Sequence, residues 1–401
     1  MSYFNYDQAM KETSRCLLCY DAPCSQGCPA NTNPAKFIRS IRFENLRGAA
    51  EIIRNRNILG GICARVCPYD RLCQENCVRD KLDESIQIGK LQEFICDYER
   101  EADFEVIESV DLIKEKIAVI GSGPAGLAAA GELALNGYQV TVFERRSLIG
   151  GWLSYGIPSD KLPQEIVNHE IKYIKDLGVE FKTNCEIGKD ISFNELEEQD
   201  YSAYLLALGK PVPKTLDLEG SQLNEVTNAV DFLSKAKNNR NEIKVKNKKV
   251  IIIGGGNVAV DCALIAKEFG AKDVSMVCIE SLAEMPADQK DMIKAQKRNV
   301  NIFAGFKPQE ICGDNNVEKF KGVSVDDSSV LELDYDVIIF AVGQKSADVK
   351  QIKDLNVDDD GFILIDENLK TDHKNIFAAG DIIKTDNTVV NAIADGKEAN
   401  D

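Results

Sequence analysis

Nothing in this sequence marks it for export or for a membrane. The opening residues, MSYFNYDQAMKETSR, lack the charged-then-apolar profile of a leader peptide. No uninterrupted apolar run approaches the ~20 residues that a membrane helix needs. Basic residues are in deficit, with 48 Lys+Arg against 65 Asp+Glu and a net charge of −17, which opposes nucleic-acid binding through a basic surface. Histidine is scarce, only His169 and His373, and no group stands out as an acid or base for substrate chemistry. Cysteine, by contrast, is plentiful at 13 residues. Without a leader the expected compartment is cytoplasmic, where disulfides seldom persist, so thiols in this number point to metal or redox use.

The 401 residues allow two to four domains, and the 44% hydrophobic share is enough to bury sizeable cores. Nine cysteines fall before residue 100 and both histidines after it. Residues 1–100 carry 14 Lys+Arg and 13 Asp+Glu, so all of the net negative charge lies beyond them. Two readings of that imbalance stand side by side: solubility alone, or arginines offsetting negative thiolates. The first segment reads as short helices between cysteine loops, in DQAMKETSRCLL, NPAKFIRSIRF and LRGAAEIIRNR, with a longer helix in IGKLQEFICDYEREADF. The last stretch, VVNAIADGKEA, reads as a helix that runs almost to Asp401, as one cut short would.

Two β-α-β units follow the cysteine-rich segment. The first, KIAVIGSGPAGLAAAGELALNGYQVTVFE, places Gly121, Gly123 and Gly126 between strand and helix and ends on Glu144. The first glycine permits a tight turn, the second lets a pyrophosphate approach the backbone, and the third lets helix pack on strand. The helix N-terminus offers unpaired amides to the phosphate, and Glu144 is placed to accept from ribose hydroxyls. The second unit, KKVIIIGGGNVAVDCALIAKEFGAKDVSMVCIE, repeats the pattern with Gly254, Gly256 and Ala259. Each is followed by a strand closing on a glycine turn, YLLALGK and VIIFAVGQ. Two such units imply two dinucleotides. The architecture resembles that of flavoprotein reductases with two dinucleotide-binding domains, in which a C-terminal Gly-Asp, here Gly380-Asp381 in NIFAAGD, returns to the FAD domain. By that resemblance the first unit holds FAD and the inserted second unit holds the nicotinamide. The second unit ends on Ile279-Glu280, and a carboxylate there accepts from a free 2′-OH but repels a 2′-phosphate, so NADH is expected.

The cysteines fall into C-x2-C-x4-C-x3-C-P at Cys16, Cys19, Cys24 and Cys28, and C-P-x4-C-x3-C at Cys67, Cys73 and Cys77. Zinc uses four-cysteine sites, but two Cys-Pro runs beside a flavin follow the logic of paired [4Fe–4S] clusters, where a cysteine before proline serves the other cluster. Seven cysteines leave two clusters one ligand short, and Cys63, one turn before Cys67, is the candidate from spacing. Cys96, Cys185, Cys262, Cys278 and Cys312 read as buried small apolar residues. No C-x-x-C accompanies the nicotinamide unit, so disulfide exchange of thioredoxin-reductase type lacks its residues.

Along essentially the whole chain, CLLCYDAPCSQGCPA, GGICARVCPYDRLCQENC, GSGPAGLAAA, GGWLSYGIPSDKLP, GGGNVAVDCA and AAGDIIKTDNTVVNAIADGKEA resemble two related families. These are the small subunit of bacterial glutamate synthase and the NAD-dependent dihydropyrimidine dehydrogenase subunits of PreT type, with DAPCSQGCPANTNPAKFIRSI closer to the second. The resemblance implies an α/β fold: a helical iron–sulfur domain at 1–112, an FAD domain at 113–212 and 341–401, and an NAD domain inserted at 213–340. It implies Gln92, in IGKLQEF, as the eighth cluster ligand in preference to Cys63. It implies Cys28, Cys67 and Cys73 on one cluster, and Cys16, Cys19, Cys24 and Cys77 on the other. FAD contacts would include Gly123, Pro124, Ala125, Glu144, Gly151, Lys161, Gly380 and Asp381, with Asn387, Thr388 and Val389 near the flavin ring. Nicotinamide contacts would be Gly255, Gly256, Asn257, Val258, Ala341 and Gly343. Longer members carry an FMN barrel, ~250 residues, for which this sequence has no segment. The implied partner is therefore an FMN and iron–sulfur catalytic subunit in a hetero-oligomer, acting on uracil or thymine, or in the other family the large subunit of glutamate synthase.

Overall fold

The computed structural model describes residues 4–104 and 106–399. The chain divides into two compact units, one of Met1–Ser154, Ser159–Gly209 and Ser346–Asp401, the other of Tyr155–Pro158 and Lys210–Lys345. The second is thus inserted into the chain of the first.

In the first unit, short amphipathic helices bury their apolar faces together. Helices Tyr6–Ser14, Pro34–Arg42, Leu46–Arg54 and Ile88–Ala102 enclose Phe37, Ile38, Ile41, Ala49, Ile53, Leu91 and Ile95, with Cys73 and Cys96 in the same core. The first three start at asparagine caps, Asn5, Asn33 and Asn45, each accepting from a backbone N–H. The first helix stops at Ser14, short of the cysteine that the periodicity had included. Leu18 between Cys16 and Cys19 then takes a left-handed φ of 53°, a local cost that a thiol loop imposes. Cys67 is extended, φ −68° and ψ 136°, because the following Pro68 disfavours helix there.

The rest of this unit is a five-stranded parallel sheet. Lys116–Ile120 is central, between Gln139–Glu144 and Ala203–Leu206, with Glu180–Thr183 and Ile376–Ala378 at the edges. Both faces are covered, so the strands read as unbroken apolar runs rather than alternating ones. Ala118, Val119, Val142 and Leu206 are fully buried. The final helix, Val389–Glu398, lies on the helix Pro124–Leu135. A Cβ on Gly396 would stand 2.2 Å from the Ala125 carbonyl oxygen, so only glycine allows that approach.

The second unit repeats the sheet. Lys249–Ile253 is central, between Asp273–Cys278 and Val337–Phe340, with Asn301–Ala304 and Val226–Asn228 at the edges, all parallel. A three-stranded antiparallel sheet, Phe306–Cys312, Lys319–Ser324 and Val330–Asp334, adds to it and was not foreseen from periodicity. Phe320, Ile311 and Tyr335 pack there with Ile251, Ile253 and Val277. Among the described residues no helix is long and apolar enough to cross a membrane.

Candidate functional site: two glycine cradles and two thiol groups

The first glycine turn is built for close approach. Gly121 has φ +108°, and a Cβ there would meet the Ala207 carbonyl oxygen at 2.4 Å; a Cβ on Gly126 would meet the Gly121 oxygen at 2.0 Å. Gly123, by contrast, has nothing within 4 Å of a built Cβ. That is the room a phosphate needs at a helix start, and the helix beginning at Pro124 and Ala125 has no side chain capping its amides. Glu144 is buried at the end of its strand and accepts from the Ser122 amide, the Ser122 hydroxyl and the Arg146 amide. Ser122 also accepts from the Gly150 amide at 3.0 Å. Sequence reading missed Ser122, which ties Glu144 to the turn. The neighbouring Gly151 would bring a Cβ within 3.0 Å of the Gly123 α-carbon, and Gly380 one within 2.8 Å of the Ala125 Cβ. Gly380 does return to this turn. Thr388 caps the final helix at Val389 by accepting from the Asn391 amide. Lys161 is partly buried and Asn387 exposed.

The second turn follows the same design. Gly254 has φ +142° with the Ala341 carbonyl oxygen 2.3 Å from a built Cβ, and Gly256 is open. The helix Asn257–Glu268 starts there without a side-chain cap, so Asn257 and Val258 lie at a free helix start. Asn257 is pinned by Asp288, whose amide it accepts from at 2.7 Å while its Nδ2 donates to the carboxylate at 3.1 Å. No sequence signal pointed to Asp288. Glu280 holds its carboxylate over the turn, with Oε2 2.9 Å from a Cβ built on Gly255, whereas Ile279 is 56% exposed. Ala341 donates its amide to Ile253 at 2.8 Å, and Gly343 shapes the turn after the strand with φ +98°.

Among the described residues no three His, Cys, Asp or Glu side chains close around a single ion. The thiols lie instead in two looser electrostatic neighbourhoods. Burial, then the charges of Cys77, Cys16 and Cys19, push Cys24 up to about 11, and Cys16 is raised by burial with Cys77 and Cys19 nearby. Burial, then Cys28 and Cys24, push Cys73 up to about 12. Cys67 is raised further by burial, with Cys63, Cys73 and Cys28 around it. Partly buried thiols held neutral in this way give up their protons readily to a cation that replaces them, which suits a metal cluster. Arg42 stands near them in the expected role: it donates to the Cys16 carbonyl at 3.1 Å and its charge favours the Cys16 thiolate, and Arg79 lies within the field of Cys77. Arg15, Arg54, Arg65 and Arg79 are paired with carboxylates.

Both candidates for the eighth ligand are buried. The Cys63 sulfur accepts from Asn57 Nδ2 at 3.2 Å, and burial pushes this thiol up to about 12. Gln92 donates Nε2 to the Gly60 carbonyl at 2.7 Å, and its Oε1 accepts no hydrogen bond among the described residues. Of the five surplus cysteines, Cys96, Cys262 and Cys278 are buried as expected; Cys185 and Cys312 are not. Cys312 ends an edge strand of the antiparallel sheet, whose outer residues face solvent.

Comparison with known proteins agrees with these sites. The family described as pyridine nucleotide-disulphide oxidoreductase matches residues 115–396, and the one described as dihydropyrimidine dehydrogenase domain II, 4Fe-4S cluster, matches residues 1–104. That second match decides for iron–sulfur over zinc. A Salmonella typhimurium protein named NAD-dependent dihydropyrimidine dehydrogenase subunit PreT is 44% identical over 391 residues, covering 98% of this chain and 92% of its own. The Escherichia coli glutamate synthase [NADPH] small chain is 30% identical over 432 residues, covering 99% and 91%. Among solved structures, the thioredoxin reductase of T. acidophilum shares the fold with TM-score 0.58 at 20% identity, over 71% of this chain and 97% of that one. The cradles fit FAD and a nicotinamide dinucleotide, and the thiol groups fit iron–sulfur clusters. The chain belongs to the pyridine nucleotide-disulphide oxidoreductase family, among its iron–sulfur members of dihydropyrimidine dehydrogenase type, and is an NAD(P)H-dependent FAD and iron–sulfur oxidoreductase.

Proposed function

We propose that this chain is the electron-input subunit of a hetero-oligomer that interconverts uracil or thymine with the 5,6-dihydro forms, using NADH. The observation that carries this reading is the presence, in one chain, of two glycine cradles for dinucleotides and two groups of partly buried thiols. Flavin, when bound, takes electrons in pairs from a nicotinamide and releases them singly to clusters. The protein's own residues then have distinct tasks. The open helix starts at Gly123 and Gly256 bind phosphates. Glu144, fixed by Ser122, orients the adenosine ribose of FAD, and Gly380 closes on the same turn. Glu280 sets the nicotinamide choice by placing a carboxylate over Gly255, where a 2′-phosphate would be repelled. Cys28, Cys67, Cys73 and Gln92 would hold one cluster, and Cys16, Cys19, Cys24 and Cys77 the other.

The domain division proposed is helical at 1–112, FAD-binding at 113–212 and 341–401, and NAD-binding at 213–340. The test is to isolate the native complex and identify its second chain. Uracil-dependent NADH oxidation by that complex supports the reading. Glutamate formation from 2-oxoglutarate and glutamine, with no uracil turnover, replaces it with the glutamate synthase alternative. Failure of the purified chain to reduce an artificial acceptor with NADH would leave a redox-sensing module.

A further inference from the structure

A carboxamide offers iron two unlike ends: an oxygen with lone pairs, and a nitrogen whose hydrogens cannot ligate. A glutamine ligand therefore needs something to keep the oxygen forward. We propose that the buried Glu170–Arg54 pair is the positioning device that fixes the Gln92 amide with Oε1 toward the cluster of Cys28, Cys67 and Cys73. This inference rests on the reading of Gln92 as that cluster's fourth ligand.

Gln92 Nε2 is committed to the Gly60 carbonyl at 2.7 Å, so the orientation of the amide follows from the orientation of that peptide. The peptide is held from both sides by one fork. Arg54 Nη1 donates to the Ile58 carbonyl at 2.7 Å and to Glu170 Oε2 at 2.8 Å. The same Glu170 oxygen accepts from the Gly61 amide at 3.1 Å, and Arg54 Nη2 reaches Oε1 at 2.7 Å. Between these two anchors the Gly60 carbonyl is not free to turn. The segment is also walled in: a Cβ on Gly60 would meet Ile53 Cγ2 at 2.5 Å, and one on Gly61 would meet Glu170 Oε1 at 2.8 Å. Arg54 in turn is steadied by Glu99, whose carboxylate it meets through Nε at 3.1 and 2.9 Å, and Glu99 accepts from the Tyr173 hydroxyl. All of Arg54, Glu99 and Glu170 are within about 1% of full burial. Replacing buried ion pairs by apolar packing is often no loss of stability, so a positioning role gives this network a reason that stability alone does not.

The experiment uses the full chain loaded with FAD and iron. Glu170→Asp keeps the charge but draws the carboxylate back by one methylene, so it cannot serve Arg54 and the Gly61 amide together; Glu170→Gln keeps the length and removes the charge. Both variants are expected to shift the midpoint potential and the EPR spectrum of one reduced cluster and to raise a three-iron signal in the oxidised protein. The other cluster and the flavin should keep their wild-type signals. In a Gln92→Cys background, where the ligand has no amide to orient, Glu170→Asp should have no such effect. A shift with Glu170→Gln while Glu170→Asp is silent would mean that charge alone acts, and would overturn the proposal. So would a Glu170→Asp shift that persists unchanged with Gln92→Cys. If Gln92→Cys itself left both cluster signals as in wild type, the ligand reading would fall first and the positioning role with it.

Discussion

Glu280 is the side chain proposed to set the nicotinamide choice. Its carboxylate sits over the second glycine turn, close enough that a phosphate on the ribose would meet like charge. Glu280→Arg is expected to raise the ratio of kcat/KM for NADPH over NADH by at least roughly tenfold, ~1.4 kcal/mol, mainly through a lower KM for NADPH. Steady-state kinetics with both coenzymes check this; a wild type that already favours NADPH would refute the charge argument. A second residue-scale prediction concerns Lys237, which donates to the Ile157 carbonyl at 2.9 Å and which burial lowers to about 8. Between that value and the ordinary 10.5 the unfolded chain binds a proton that the folded chain does not, so this lysine's penalty is full below pH ~8 and fades as pH rises to ~10.5. Urea midpoints of wild type and Lys237→Met should therefore differ at pH 7, with the variant more stable, and converge at pH 10. The sequence marked Glu280 because it ends a strand in a recognisable unit. It gave no sign of Lys237 or Ser122, because burial and a shared hydrogen bond arise only once distant segments meet.

At the scale of elements, the strand–turn–helix units are where function depends on backbone contact. Gly126 lies so close to Gly121 that a single methyl would sit 2.0 Å from its carbonyl oxygen. Gly126→Ala should push the helix Pro124–Leu135 off its strand and lower the FAD-to-protein ratio of the purified protein by at least about tenfold; normal flavin content would show that the helix start is not the FAD site. The helical part depends on another contact, since Arg54 and Glu99 join helices Leu46–Arg54 and Ile88–Ala102 to Glu170 on the helix Gln164–Asp176. Arg54→Met leaves two buried carboxylates without a cation, and a loss of ~3–5 kcal/mol is expected in denaturant unfolding. The glycine spacing was legible in advance because it is local. The antiparallel sheet at Phe306–Asp334 was not: its strands are short and partly exposed, and only packing against Ile251, Ile253 and Val277 settles them as strands.

For the molecule as a whole, the prediction concerns where electrons leave. The proposed partner, to take electrons from a cluster, would have to come close to one, and the near-neutral segment before residue 100 differs from the acidic remainder. Hydrogen exchange on the isolated complex, compared with the free chain, should show new protection in Cys16–Arg42 or Cys67–Lys81 rather than in Phe306–Asp334. Protection confined to the latter would place the exit elsewhere.

The sequence by itself determined the two dinucleotide units and a cysteine spacing suited to paired clusters, while the inserted order of the chain was implied by resemblance and the choice of iron–sulfur over zinc by the family match. The units and the cysteine runs rest on residues at fixed short spacing, where a glycine, a proline or a cysteine has a local backbone or ligand consequence. Tertiary structure alone decided what those residues rest upon. Glu144 is tied to its turn by Ser122, Asn257 is pinned by Asp288, and Gly60 is held by an arginine and a glutamate 116 residues apart. Those partners come from separate elements, and the free energy of burying a charge or a carbonyl exists only after the elements have packed.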